Sequence, residues 1–146
     1  MATGLVNGTD LLLKVGGDGT EEIIASSTSC SLEISMDEID QTNKDSLGWK
    51  SIIGGTRSWS VSADALYQNE EPTDAGFKDL WSYMDGRTKI YVELTTADAD
   101  NASGNVFYEG SGYITALSVN GATEDQSSFS VTITGSGALV ETAVPA

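Results

Sequence analysis

Four stretches of this chain alternate apolar and polar residues with a period of two. In residues 28–36, Cys30, Leu32, Ile34 and Met36 alternate with Ser29, Ser31, Glu33 and Ser35. In 57–68, Trp59, Val61, Ala63, Ala65 and Tyr67 oppose Ser58, Ser60, Ser62 and Asp64, with Leu66 breaking the polarity. Residues 88–96 set Ile90, Val92 and Leu94 against Lys89, Tyr91, Glu93 and Thr95, and 127–134 set Phe129, Val131 and Ile133 against Ser128, Ser130, Thr132 and Thr134. Period two belongs to the strand, where successive side chains leave opposite faces, so the pattern calls for strands with one buried and one wet face. Gly, Ser and Thr make up about a third of the chain, which suits many strands joined by tight turns.

Other segments fit the same plan. Strands are expected at 11–15 and 20–25, joined by the turn Gly16-Gly17-Asp18-Gly19, and at 106–119, where Gly110 and Gly112 suggest a bulge or bend. A helix is expected over 73–85, from Thr73 to Asp85. Pro72 precedes it, Thr73 or Asp74 can cap it and Gly86 can end it. Phe77, Leu80, Trp81 and Met84 recur at helical spacing and form a stripe expected in the core. Residues 37–56 break the alternation and are long for a connection, which reads as a functional loop able to fold onto a partner. Residues 138–146 read as a flexible C-terminal tail. The expected fold is mainly β: an antiparallel β-sandwich or barrel with one flanking helix, as a single domain over residues 1–146.

Charge narrows the function. With 22 acidic residues, 7 basic residues and no His, the chain carries a formal charge of −15. It lacks the basic footprint of a nucleic-acid binder and would be repelled by an anionic membrane surface. Without His, His-dependent triads and the usual zinc sites are excluded. The single Cys30 reads as a small residue on an apolar face. The N-terminus lacks a basic region followed by an apolar run, so no signal peptide is expected. All seven bases lie at or before Lys89, and from Ile90 onward there are seven acids and no base.

No constellation carries catalysis. Neighbouring carboxylates such as Glu21-Glu22, Glu70-Glu71 or Asp98 with Asp100 are what 22 acids scatter through a sequence. Asp98-Ala99-Asp100-Asn101 has the oxygen-rich start of a calcium loop, but Ser103 stands where such loops require Gly. Gly135-Ser136-Gly137 has no Lys or following helix to make a phosphate loop. No catalytic residue, cofactor or metal is assigned. Of the three Trp residues, Trp59 and Trp81 are read as core. Trp49, in the long loop, suits partner contact and ordinary packing equally.

The stretch Asp40-Gln41-Thr42-Asn43-Lys44-Asp45-Ser46-Leu47-Gly48-Trp49-Lys50, followed by Gly54-Gly55-Thr56-Arg57-Ser58-Trp59-Ser60-Val61-Ser62, resembles the TP901-1-like major tail protein group of long-tailed phages. The early NGTDLLLKV run, Gly112-Tyr113-Ile114-Thr115-Ala116-Leu117 and the closing Phe129–Gly137 segment agree with it. Asn120-Gly121-Ala122 lacks the group's usual Pro.

The resemblance implies a structural virion protein. Its subunits would form hexameric rings whose inner hairpins join edge to edge into a β-barrel, and the rings would stack into a tube that DNA traverses. Implied partners are other copies of the chain, the tape-measure protein, the tail terminator and tail-tip or baseplate proteins. DNA would pass without specific binding, and no membrane is involved. Assembly in the host cytoplasm and residence in the virion tail follow. On this reading Asp40, Lys44, Trp49, Lys50 and Ile53 make inter-subunit and inter-ring contacts, and Glu33, Ser60, Ser62, Asp64, Glu109, Ser130 and Thr132 are candidates for the lumen lining. The acidity has two explanations, easing DNA passage or keeping subunits soluble. A phage-derived particle, such as a gene transfer agent or tailocin, would use the same design. The alternative is a β-sandwich module binding carbohydrate or another ligand.

Overall fold

The alternating segments become strands of one antiparallel sheet in a computed structural model that describes residues 11–17, 22–24, 27–67, 76–96 and 106–143. The elements are β1 (Leu11–Gly16), β2 (Glu22–Ile23), β3 (Ser27–Asp40), β4 (Ile52–Leu66), α1 (Phe77–Asp85), β5 (Ile90–Thr96), β6 (Val106–Asn120), β7 (Ser128–Gly135) and β8 (Val140–Ala143). Among the described residues the strand order is β2-β1-β5-β6-β7-β4-β3. The long strand β6 is the joint. Its first part pairs with β5 on one edge and β8 on the other, and its second part pairs with β7.

Alternate residues build the core. Leu13 and Val15 of β1, Val61, Ala63 and Ala65 of β4, Ile90, Val92 and Leu94 of β5, and Phe129, Val131 and Ile133 of β7 are all buried. Contributions from both ends of the strand order mean that the sheet curls around one apolar interior, and β1 approaches β3. Helix α1 covers this interior with fully buried Leu80. Its Phe77 ring packs edge-on to Phe129 at 5.7 Å and tilts against Tyr67 at the same spacing.

The tightest packing lies where β4, β6 and β7 meet. The Trp59 indole rests on the bare backbone of two glycines. A Cβ added at Gly135 would lie 2.1 Å from Trp59 Cε2, and one at Gly110 would lie 2.6 Å from Trp59 Cζ2. A Cβ at Gly112 would meet the Thr134 carbonyl oxygen at 2.3 Å. The indole N–H donates to the Gly137 carbonyl at 3.1 Å, so the large ring is buried with its polar atom satisfied.

Several expectations change. The helix runs Phe77–Asp85 with Gly76 at its N-cap, and the expected caps Thr73 and Asp74 lie outside the described residues. Trp81 is 53% exposed, so the buried stripe is Leu80 flanked by Phe77, Tyr83 and Met84. Residues 37–56 are not one loop. β3 continues to Asp40 and β4 begins at Ile52, with Ile39 paired to Ile53, leaving only 41–51 as the connection. Alternation fails there because the hairpin has outgrown the core, and a bulge between Met36 and Glu38 shifts the register. Residues 140–143 of the expected tail are strand β8, while 144–146 lie outside the described residues. The loop at 97–104, with its calcium-like start, also lies outside them. No helix among the described residues is long and apolar enough to cross a membrane.

Candidate assembly surfaces

Four adjacent strands, in the order β6-β7-β4-β3, turn one face to the core and the other to solvent. The solvent face is laid out by register. Ser31 lies opposite Ser62, Glu33 opposite Ser60 and Ser35 opposite Ser58, while Asp64 lies opposite Ser29 on one side and Ser130 on the other. Next come the pairs Ser62–Thr132 and Ser60–Thr134, then Ser130–Ser118 and Thr132–Ala116. Hydroxyls bond across the strands: Ser31 to Ser62 at 2.6 Å, Ser35 to Ser58 at 2.8 Å and Thr115 to Thr134 at 3.0 Å. The Asp64 carboxylate ties three strands together, accepting from Ser29 Oγ at 3.0 Å and from Ser130 Oγ. Such cross-strand polar pairs hold a flat face together without apolar cover.

Every base lies elsewhere. Lys44, Lys50 and Arg57 sit on the long hairpin, and Lys78, Arg87 and Lys89 sit on α1 and the turn after it. Lys14 is engaged at 3.7 Å with Glu93 on the β1–β5 side. The four-strand face therefore carries Glu33 and Asp64 with no cation to offset them.

This four-strand unit has an unpaired edge at each end among the described residues. Strand β3 ends the order, with β4 on one side only. The pairing of β6 with β5 stops at Gly112, so β6 from Tyr113 to Asn120 has only β7. An open row of backbone donors and acceptors is a template for another strand.

The β3–β4 hairpin projects as an arm with a well-made tip. Gln41 N–H donates to the Ser51 carbonyl at 2.9 Å, and Ser51 N–H donates to Thr42 Oγ1 at 2.9 Å. Asp40 Oδ1 accepts from Thr42 N–H at 2.8 Å, and hydrogen bonding from Thr42 holds the Asp40 carboxyl below its ordinary value. Asn43 caps a short 3-10 turn by accepting from Asp45 N–H at 3.0 Å. Leu47 and Gly48 follow with positive φ of 51° and 86°. This hydrogen-bonded tip holds Leu47 at 87% and Trp49 at 80% exposure, and Ile39, Ile52 and Ile53 are also exposed along the arm. Such a cluster of large apolar side chains on a projection marks a contact surface.

The residues singled out from sequence divide between these surfaces. Asp40 and Ile53 stand on the arm's strands, and Lys44, Trp49 and Lys50 at its tip, with Lys50 bridging to Glu38 at 3.1 Å. Exposure rules out packing of Trp49 within its own chain. Glu33, Ser60, Ser62, Asp64, Ser130 and Thr132 share the four-strand face. Glu109 stands apart, on the first part of β6 that pairs with β5 and β8, opposite Glu93 and half-buried, accepting from Thr142 Oγ1 at 3.0 Å. Sequence reasoning expected edge-to-edge joining but did not say which strand edges are open, nor that Ser29 bonds Asp64 and Ser118 lies opposite Ser130, which depend on register. Cys30 is half-buried against the core, and burial raises its thiol pKa. No metal-binding cluster of acidic or Cys residues occurs among the described residues.

Comparison with known proteins gives a consistent result. A family model described as phage tail tube protein matches residues 5–141. No curated protein sequence matches the chain. A chain from the virion of a native gene transfer agent particle is 22% identical, with a TM-score of 0.78 over 95% of this chain and 100% of that one. One from the tail of an empty gene transfer agent particle, refined with helical and C6 symmetry, is 23% identical, with a TM-score of 0.79 and the same coverage. The SPP1 tail tube is 12% identical, with a TM-score of 0.76 over 97% of this chain and 81% of that one. At these identities the likeness speaks for the fold.

Proposed function

The chain belongs to the phage tail tube protein family and is a structural component of a particle tail, and from that premise we propose that it is the repeating subunit of the tube itself. The observation that carries this is the four-strand unit with two unpaired edges and one polar, base-free face. The outer edge of β3 pairs with the second half of β6 in the next copy, so subunits close into a ring. Six copies per ring correspond to the C6 symmetry of the gene transfer agent tail. Four strands from each of six copies give a barrel of about 24 strands, roughly 37 Å across if untilted and about 48 Å at a ~40° tilt. That leaves room for a DNA duplex.

The polar face lines this channel. Glu33, Ser60, Ser62, Asp64, Ser130 and Thr132 belong to the lining, and Glu109 does not. Phosphates passing such a wall meet hydroxyls and carboxylates but no counter-charge, and the repulsion reaches about a Debye length, ~8 Å at physiological salt. The placement of all seven bases away from this face favours DNA passage over solubility as the main service of the acidity. The arm, through Asp40, Lys44, Trp49, Lys50 and Ile53, joins each ring to the next. The tape-measure protein, a tail terminator and tail-tip or baseplate proteins are the remaining partners, and assembly takes place in the host cytoplasm. The role is structural rather than catalytic, whether the particle is a phage or derived from one.

Hydrogen exchange tests the ring closure. The outward-pointing amides of β3, and those of β6 between Tyr113 and Asn120 that point away from β7, should exchange quickly in isolated subunits and become protected in tubes. Rapid exchange at both edges in intact tubes contradicts it.

A further inference from the structure

On the side of β4 away from the polar face, where the arm leaves the body, lies an open groove of about 630 Å³. Trp59 forms its floor, Ile34, Tyr108 and Leu139 its apolar walls, and Arg57 and Glu141 its charged rim. Ile34 is 59% exposed although it lies opposite Trp59 in the ladder. The Tyr108 hydroxyl donates to the Glu141 carboxylate. Gly55–Ser58 run along the groove, and β7 reaches only as far back as Ser60, so this stretch of β4 has β3 alone as strand partner among the described residues.

We propose that this groove is the socket for the arm tip of a second copy of the chain in the adjacent ring, with Trp49 as the inserted anchor. The inference rests on the tube reading and names the acceptor that the arm requires. A stack that grows must join two different patches of the same molecule, because a self-complementary patch would close after two copies. Among the described residues the chain provides an apolar projection and a recess with apolar walls. The recess is within the size range of ligand-sized pockets, ample for an indole with Leu47 beside it. Charge agrees at the anchor itself: Lys50 follows Trp49 directly and Lys44 opens the same tip, while Glu141 supplies a carboxylate to the rim. Arg57 is placed to lie against the face of the incoming ring, and Glu141 can accept from the indole N–H. Because the tip is already ordered by Asp40, Thr42 and Asn43, docking forfeits little chain entropy.

Zero-length carbodiimide cross-linking of tubes grown from the unaltered protein is the direct test. A Lys44–Glu141 or Lys50–Glu141 peptide should appear in tubes and be absent from dissociated subunits. Within one chain Lys50 is held by Glu38, and five residues of extended arm, roughly 16 Å, separate it from Gly55 at the near end of the groove. In parallel, Trp49→Ala should raise the subunit concentration needed for tubes about tenfold or more, with the thermal unfolding of the subunit unchanged. Tubes whose Lys44 and Lys50 link only to carboxylates outside the groove, or a Trp49→Ala protein that assembles at the original concentration, overturn the socket while leaving the tube role intact. An unaltered protein that never forms rings or tubes overturns both.

Discussion

Trp59 shows how single residues fix this molecule. Its ring occupies the space that side chains at Gly110 and Gly135 would need, so those glycines are required for close approach rather than for turn formation. Gly135→Ala forces either the indole or β7 to move. It should destabilise the subunit by about 1–3 kcal/mol, seen as a lowered midpoint in thermal or urea denaturation. Trp59→Ala empties the same site and should cost about 3–5 kcal/mol. An unchanged midpoint for Gly135→Ala contradicts the packing described. At the arm tip, Asp40 accepts from Thr42, so its folded pKa lies below the unfolded value. Its contribution is present above the unfolded pKa, about 3.9, and is lost as pH falls through the lower folded one. The Thr42 amide resonance should titrate with a midpoint below the ordinary Asp value, and a midpoint at or above it removes the bond from the account.

At the scale of elements, legibility followed burial. Strands that alternate over the core, such as β5 and β7, announce themselves in the sequence, and their observed bounds fall within two residues of the expected ones. The outer half of the β3–β4 hairpin does not, because neither of its faces is covered in the subunit and no alternation is imposed on it. Strand β8 is four residues long and mostly exposed, which leaves too little pattern to read. Trp81 was misplaced because its helical spacing fits a buried stripe, while Leu80 and Tyr83 take that side of α1. The polar faces were legible as residues but not as a surface: which strands lie side by side is a matter of long-range pairing that one sequence does not state. The arm makes its own prediction. Replacing residues 38–54 with a two-residue turn removes no core side chain, so the subunit should keep its cooperative unfolding and its unfolding midpoint while losing the ability to form stacked tubes. Normal tubes in electron micrographs of that variant contradict the assigned role.

For the whole molecule, the absence of His has a consequence. No side chain with an unperturbed pKa between 5 and 8 is present, and burial moves the Cys30 thiol further up. Assembly followed by light scattering should therefore be the same at pH 6 and pH 8. It should change only near the sequence pI of about 4.1, where carboxylates protonate and mutual repulsion falls. A midpoint near pH 6.5 would require a titrating group that the chain lacks. The channel wall can be tested by reversing one of its charges. Glu33→Lys places one cation per subunit on the polar face, and tubes of that variant should retain duplex DNA with an affinity that falls as salt rises, while unaltered tubes do not. Electron cryomicroscopy of the assembled tube decides whether the β6-β7-β4-β3 sheet turns its polar face to the channel: Ser62, Asp64, Ser130 and Thr132 should stand on the inner wall and α1 on the outside, and a map with α1 lining the channel and that face turned outward would contradict the proposed tube.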